Sequence, residues 1–411
     1  MTKDRWSNVL FAGVLFLLIG TPFYKVGFPL WIGVVLSAIG AIGLTFKGEI
    51  SKKIVPFVYL VTAFFVMELI WILFVPDQQN AFKNILLKTS LLVIPWSLLA
   101  VNHGFSRKQF HALFGAFLAS SVLSGAVHLT LAIQQTIENQ RLMIFYQDLS
   151  QWVHPGYYGI LIALAIIVGI TVKFDGNASV RFLSKWIKPI GVLFLIAILF
   201  LLSARMQLIA MIVIFLFSGT SLLIRKMGKR KATLYTILLL LIAGSSTALL
   251  FKHNNRINRL YSEVQDLTMK PGDYLNSVET RLVIWQLGIE TAMERPFTGH
   301  GTASTKTLVV KKASTIGHLQ IVQKNMGVHN EFLDAWITKG LVGLLLLIVT
   351  LGQPLVQAIR NQNHFLLSVL ILFGLTFLTE SALEREMGVI LFATFVPLTM
   401  LYHQSKENVG G

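Results

Sequence analysis

The sequence predicts an all-α polytopic membrane protein of about twelve transmembrane helices, with one large helical loop late in the chain. Three observations predict it. Of 411 residues, 54% are hydrophobic and only 13% charged, and the mean hydropathy is +0.68; an ordinary soluble domain is roughly 25% charged. The apolar residues fall in runs near the roughly 20-residue length that an α-helix needs to cross a bilayer. Lys and Arg gather in alternate connecting segments, as they do on the cytoplasmic side of membrane proteins.

The candidate spans are 8–21, 28–46, 54–75, 85–101, 110–133, 156–173, 189–204, 206–224, 232–251, 333–358, 364–379 and 387–403. The first apolar run, Val9 to Thr21, is short and lacks a small-x-small cleavage site, so it reads as a first span rather than a removable leader. The run from Ile190 to Ile224 is too long for one crossing and is interrupted only at Ser203–Gln207, so it is divided into two.

With the N-terminus inside, one set of short segments carries Lys3, Lys52, Lys53, Arg107, Lys108, Lys185, Lys188, Arg225, Lys229, Arg360 and further cations. The opposite set carries only Lys25, Lys83, Arg141, Arg205 and Arg385. Both termini are therefore expected on the cytoplasmic side, and the loop 252–332 on the opposite face of the membrane. The organisation expected is one integrated domain: spans one to nine over 1–251, the loop over 252–332, and the last three spans with a tail over 333–411. The net charge of +16 reads as contact with anionic membrane lipid rather than with nucleic acid. Cysteine is absent, which excludes disulfides, thiolate metal sites and a cysteine nucleophile.

Within the loop, Leu282, Trp285, Ile289, Ala292 and Met293 form an apolar stripe at helical spacing. Pro296 ends that helix and Gly299-His300-Gly301 turns the chain. Arg281 lies near its start, either as a surface cation beside Glu279 or facing an external anion. Arg205 sits at the outer turn between two spans. It reads either as an arginine snorkelling to the interface or as a fixed cation for a lipid-linked phosphate, which a planar guanidinium binds bidentately.

His329-Asn330, nine residues, Gly340, two residues and Gly343 lie where the loop meets the next span. A neutral imidazole there can act as a general base toward a hydroxyl. Asn330 is a candidate helix cap, and Glu331 and Asp334 suit the helix dipole or could orient the histidine. Gly340 and Gly343 would let the helix pack closely on a neighbour. Glu380 is either part of a solvated charged turn with Glu384, Arg385 and Glu386 or the carboxylate that holds an arginine or His329. Glu68 and His128, inside spans, read as interhelical hydrogen-bonding groups or as a polar pathway. His154-Pro155-Gly156-Tyr157 opens the sixth span on the outer face. No metal-binding spacing, phosphate loop or dinucleotide fingerprint occurs, so no cofactor and no catalytic metal is expected.

Four segments taken in order resemble the superfamily of O-antigen ligases and Wzy-type O-antigen polymerases. They are Ser203-Ala204-Arg205; Thr280-Arg281 with Trp285, Pro296, Gly299 and Gly301; His329-Asn330 to Gly343; and Thr379-Glu380-Ser381 to Gly388. The resemblance covers roughly 190–400, and the first half of the chain matches only in hydropathy. It implies a metal-independent, inverting glycosyltransferase of the C-type class. Such an enzyme takes an undecaprenyl-diphosphate-linked glycan as donor and, in ligases, a lipid A-core sugar as acceptor. It implies that Arg205 and Arg281 bind the diphosphate and that His329 activates the acceptor hydroxyl. The string from His329 to Gly343 favours ligase over polymerase. A protein O-oligosaccharyltransferase is the less favoured relative, since such enzymes often carry a longer C-terminal extension. A lipid or glycan flippase is the reading from a different class, and it would show inverted repeats that this sequence lacks.

Overall fold

The computed structural model describes residues 3–26, 30–45, 52, 54–100, 105–174, 183–219, 228 and 277–407. The expected ninth span, 232–251, and the start of the loop, 252–276, lie outside the described residues. Every regular element among the described residues is helical. The longer helices are α1 (Lys3–Gly20), α2 (Leu30–Thr45), α3 (Val55–Trp71), α4 (Gln78–Leu99), α5 (Arg107–Glu138), α6 (Pro155–Thr171), α7 (Lys188–Leu201) and α8 (Arg205–Ile214). Later in the chain come α9 (Ser277–Glu294), α10 (Thr305–Thr315), α11 (Leu319–Gln323), α12 (Glu331–Arg360), α13 (His364–Phe377) and α14 (Glu386–Glu407).

Six of the described helices are long and apolar enough to cross a membrane, and four shorter apolar helices accompany them. With the hydropathy, this makes the chain a polytopic membrane protein. Two helices form the centre. In α6 the run Tyr158–Val168 is buried on every side, and α14 is buried along almost its whole apolar length. That explains why neither shows an amphipathic stripe: a helix surrounded by others has no polar face. The α1–α2 pair packs on α4 and α5, α4 also packs on α3 and α14, and α6 packs on α5, α7 and α13.

The last third departs from a plain bundle. Helix α12 is broken at Gly340, whose φ of +67° and ψ of −167° are not helical. Residues 331–339 therefore form one segment and 341–360 another. The expected span 333–358 falls within this candidate membrane helix, and Gly340 divides it. The break frees backbone groups, and the turn after α9 binds them. Leu341 N–H donates to Pro296 O at 2.7 Å, His300 N–H to Ile337 O at 2.9 Å, and Gly301 N–H to Thr338 O at 2.8 Å. A buried backbone group left unpaired is costly, so this turn splints the break. Gly340 and Gly343 thus serve the break rather than contact with a neighbouring helix. A Cβ on Gly340 would lie 2.1 Å from Phe297 O, and one on Gly343 would lie 2.3 Å from Lys339 Cβ.

A second hydrophobic core sits on this end of the bundle. It joins Val283, Ile284 and Leu287 of α9, Val309 and Ala313 of α10, Ile321 of α11, and Leu333 and Ile337 of the first α12 segment. The stripe expected on α9 is shifted. Ile289 and Met293 are exposed, and the buried face runs through Thr280, Ile284, Leu287, Gly288 and Thr291. A threonine can line this face because its polar group is satisfied locally: the Thr291 hydroxyl donates to Leu287 O at 2.7 Å.

Candidate active site

His329 stands on a backbone fixed from both sides. Its φ is +46°, a left-handed conformation uncommon for a residue with a Cβ. Before it, Val328 is buried and its carbonyl accepts from Trp285 Nε1 at 3.0 Å. After it, Asn330 caps α12, its Oδ1 accepting from Leu333 N at 3.0 Å. Asn330 also donates from its backbone N–H to Ser381 Oγ at 3.2 Å and from Nδ2 to Leu378 O at 3.1 Å. The His-Asn pair is thereby tied to the turn between α13 and α14, and the strained imidazole position is set by its neighbours.

That same turn supplies Glu380. His329 Nδ1 donates to Glu380 Oε2 at 3.2 Å, and Arg281 donates to Glu380 Oε1 at 3.1 Å. The carboxylate is nearly buried, whereas the His329 and Arg281 side chains are 37% and 35% exposed. A carboxylate on Nδ1 fixes the proton there, so Nε2 is left as the acceptor. Burial would raise the Glu380 carboxyl pKa. The hydrogen bond and charge of His329, together with Arg281 and His154, outweigh it and hold Glu380 below the usual carboxylate range.

The first turn of α6 faces this group. His154 caps the helix, its Nδ1 accepting from Gly156 N–H at 3.3 Å. A Cβ on Gly156 would lie 3.7 Å from Glu380 Oε1, so the approach is close. Although the His154 ring is exposed at its edge, the protein around it lowers its pKa, with Glu380 opposing that shift. Beside it, Arg385 adjoins the Tyr157 hydroxyl.

Arg205 is the first residue of α8. The chain breaks before it, with Ser203 at a φ of +49° and Ala204 at the cap. Ala204 packs on Gly159 of α6, where an added Cβ would lie 2.8 Å from the Ala204 Cβ. Arg205 is therefore held one turn of α6 away from the contact of Gly156 with Glu380.

Of the residues singled out from sequence, Arg281, His329 and Glu380 meet directly and Asn330 holds the turn, while Arg205 follows the Ala204 that packs on Gly159 of α6. Glu331 does not orient the histidine. It is buried, and its Oε2 accepts from Leu383 N–H at 2.7 Å. His128 lies apart, its Nδ1 2.9 Å from Ser124 O in a buried group with Tyr158 and Trp152. Glu68 is paired with Lys88 and Lys339 at 2.6 and 2.8 Å. Neither lysine stands out from sequence spacing. The signal was present nonetheless, since Lys88 is a charge inside a candidate span.

An uncharacterized protein of Haemophilus influenzae is 24% identical to this chain over 342 residues, 80% of each. Residues 190–348 match the family model described as O-antigen ligase. That segment runs from α7 through the break at Gly340 and contains Arg205, Arg281 and His329, so this part of the chain is similar to the O-antigen ligase family.

Proposed function

We propose that this protein is an O-antigen ligase. It would transfer a glycan from undecaprenyl diphosphate to a sugar hydroxyl of lipid A-core, in lipopolysaccharide biosynthesis. The observation that carries the proposal is the Glu380 carboxylate joining His329 Nδ1 to Arg281, with His329 Nε2 left free as an acceptor.

In this reading His329 Nε2 takes the proton of the acceptor hydroxyl as its oxygen attacks the anomeric carbon. The bond from that carbon to the diphosphate oxygen breaks on the opposite face, and the anomeric centre inverts. The diphosphate leaves with the electron pair. Arg205 and the unused N–H donors of Arg281 offset its charge, so no metal is required. General-base help of this kind is worth about 10²–10⁴ in rate. The arrangement proposed for the whole chain is twelve spans in the bacterial inner membrane, both termini cytoplasmic, and the site facing the periplasm. The spans over 1–251 and 333–411 and the loop 252–332 form one integrated unit.

The test is transfer by the purified protein. Undecaprenyl-diphosphate-linked glycan and lipid A-core are mixed with wild type or His329→Ala in EDTA. A glycan ladder on lipid A-core from wild type alone supports the ligase. Longer lipid-linked chains without transfer to core indicate the polymerase of the same superfamily. Transfer to protein acceptors indicates an O-oligosaccharyltransferase. No product from folded protein, with lipid-linked glycan moved across a vesicle membrane, indicates a flippase.

A further inference from the structure

Beneath the proposed active site lies a buried ionic cluster that touches none of its exposed groups. Lys88 of α4 is 1% exposed. Its Nζ donates to Glu68 Oε1 of α3 at 2.6 Å and to Glu384 Oε1 of the α13–α14 turn. Asn84, one turn earlier on α4, donates from Nδ2 to Glu384 Oε2 at 2.5 Å. Lys339, the last residue before the break in α12, donates to the same Glu68 Oε1 at 2.8 Å and to Thr338 Oγ1 at 2.9 Å. Carboxylate oxygens of Glu331, Asp334 and Glu384 lie within 4.8 Å of one another, with Lys88 close to all three groups.

These contacts give the α13–α14 turn a fixed base. Its far end, Glu384, is held by two side chains of one helix. Its middle is held by Leu383 N–H on Glu331 and by Ser381 Oγ accepting from Asn330 N–H. Its near end is Glu380, which carries His329 and Arg281. Lys88 supplies the ammonium that lets the carboxylates crowd together. Without it, the Glu384 carboxylate would lose its cation while still packed against the acidic side chains of Glu331 and Asp334, in a site of low dielectric where an uncompensated charge is costly. Breaking a buried pair by removing one partner leaves the other charge uncompensated, and the turn is the part able to move.

We infer that Lys88 is a positioning residue for the proposed transfer: through Glu384 it sets the place of Glu380, and through Glu380 that of His329. The inference rests on the proposed function for its kinetic consequence but not for its structural one. Purified wild type, Lys88→Met, Glu384→Gln, Glu380→Gln and the Lys88→Met/Glu380→Gln double variant are compared in two ways.

The first is hydrogen exchange read by mass spectrometry, which needs no transfer activity. Lys88→Met and Glu384→Gln are expected to speed exchange in peptides covering 378–386 and 328–332, with α6 and α14 unchanged. The second is transfer from undecaprenyl-diphosphate-linked glycan to lipid A-core. Lys88→Met and Glu384→Gln are expected to lower kcat at least tenfold with KM for the donor within twofold. Lys88→Met added to Glu380→Gln is expected to cost less than a further twofold, since the hold it acts through is already lost. Should Lys88→Met not fold, Glu384→Gln keeps Lys88 paired with Glu68 and carries both measurements. Unchanged exchange in the turn overturns the inference whether or not wild type transfers glycan. A wild type with no transfer of any kind speaks against the proposed function alone. An equal fall in kcat for Lys88→Met in the wild-type and Glu380→Gln backgrounds also overturns the inference, because it makes Lys88 a general stabiliser.

Discussion

His329 Nδ1 and Glu380 Oε2 lie 3.2 Å apart, and the other oxygen of the same carboxylate lies 3.1 Å from an Arg281 nitrogen. One buried anion thus fixes an imidazole tautomer and a guanidinium together. Glu380→Gln removes the negative charge while keeping the shape. A glutamine can present its amide N–H to Nδ1, which would favour the tautomer with the proton on Nε2 and block the base. Turnover is expected to fall by at least about tenfold, and by as much as about 10⁴-fold if tautomer control dominates, as in the serine-protease aspartate substitution. Steady-state transfer rates of the two purified proteins check it; equal rates would remove Glu380 from the mechanism.

The depressed Glu380 pKa has a consequence for stability. A carboxyl whose folded pKa lies below its unfolded value stabilises the fold in full above the unfolded value and loses that contribution as pH falls through the folded one. With an ordinary glutamate value of 4.5, the contribution of Glu380 ionisation to the Tm difference between wild type and Glu380→Gln is expected to be complete above about pH 5.5. It is expected to shrink steadily below pH 4.5. Thermal melts of both proteins in the same detergent across this range measure it. A difference that stays level into the acid range would mean that Glu380 is not held by His329 and Arg281 in solution.

Much of this was legible in the sequence, for reasons tied to particular residues. Long apolar runs mark α3, α5 and α14 because lipid and a packed bundle both exclude charge. The division before Arg205 could be read at Ser203–Gln207 because the apolar run there exceeds one crossing. Pro296 marks the end of α9, which stops at Glu294. The break at Gly340 was not legible, since the apolar pattern continues through it and only the docking of Pro296–Gly301 reveals it. Nor was the register of α9, where Gly288 and Thr291 are buried and Met293 is not. Pairing across the fold is least readable of all: Glu68 and Lys339 are 271 residues apart, and no spacing rule links them.

Gly340 occupies a conformation that residues with a Cβ resist, and its surroundings leave no room for one. An L-residue at φ +67° and ψ −167°, a region essentially reserved for glycine, costs about 1–3 kcal/mol before any clash. The Cβ of Gly340→Ala would also lie 2.1 Å from Phe297 O, so the 296–301 turn must move and release its bonds to Ile337, Thr338 and Leu341. A loss of at least about 2 kcal/mol is expected, seen as a lower Tm. Exchange should quicken in the peptide covering 296–301 first. A Tm equal to wild type would show that the turn yields freely and does not splint the break.

In the proposed transfer Arg281 does two things at once, and that makes it sensitive to a change that keeps its charge. A guanidinium has five N–H donors in a fixed plane. One nitrogen serves Glu380 and the side chain is 35% exposed, which leaves donors for a phosphate. Lysine has a compact ammonium and cannot present a planar fork to both partners. Arg281→Lys is expected to lower kcat/KM by about 10–100-fold, the worth of a hydrogen bond or two to a charged group. Arg205→Lys should fall similarly through diphosphate binding alone, without altering the pH dependence of Tm that Glu380 imposes. The two roles of Arg281 separate in combination with Glu380→Gln. If Arg281 only held Glu380, Arg281→Lys would cost nothing further in that background. If it also binds the donor, a further loss of at least about fivefold in kcat/KM remains, together with weaker binding of the diphosphate lipid.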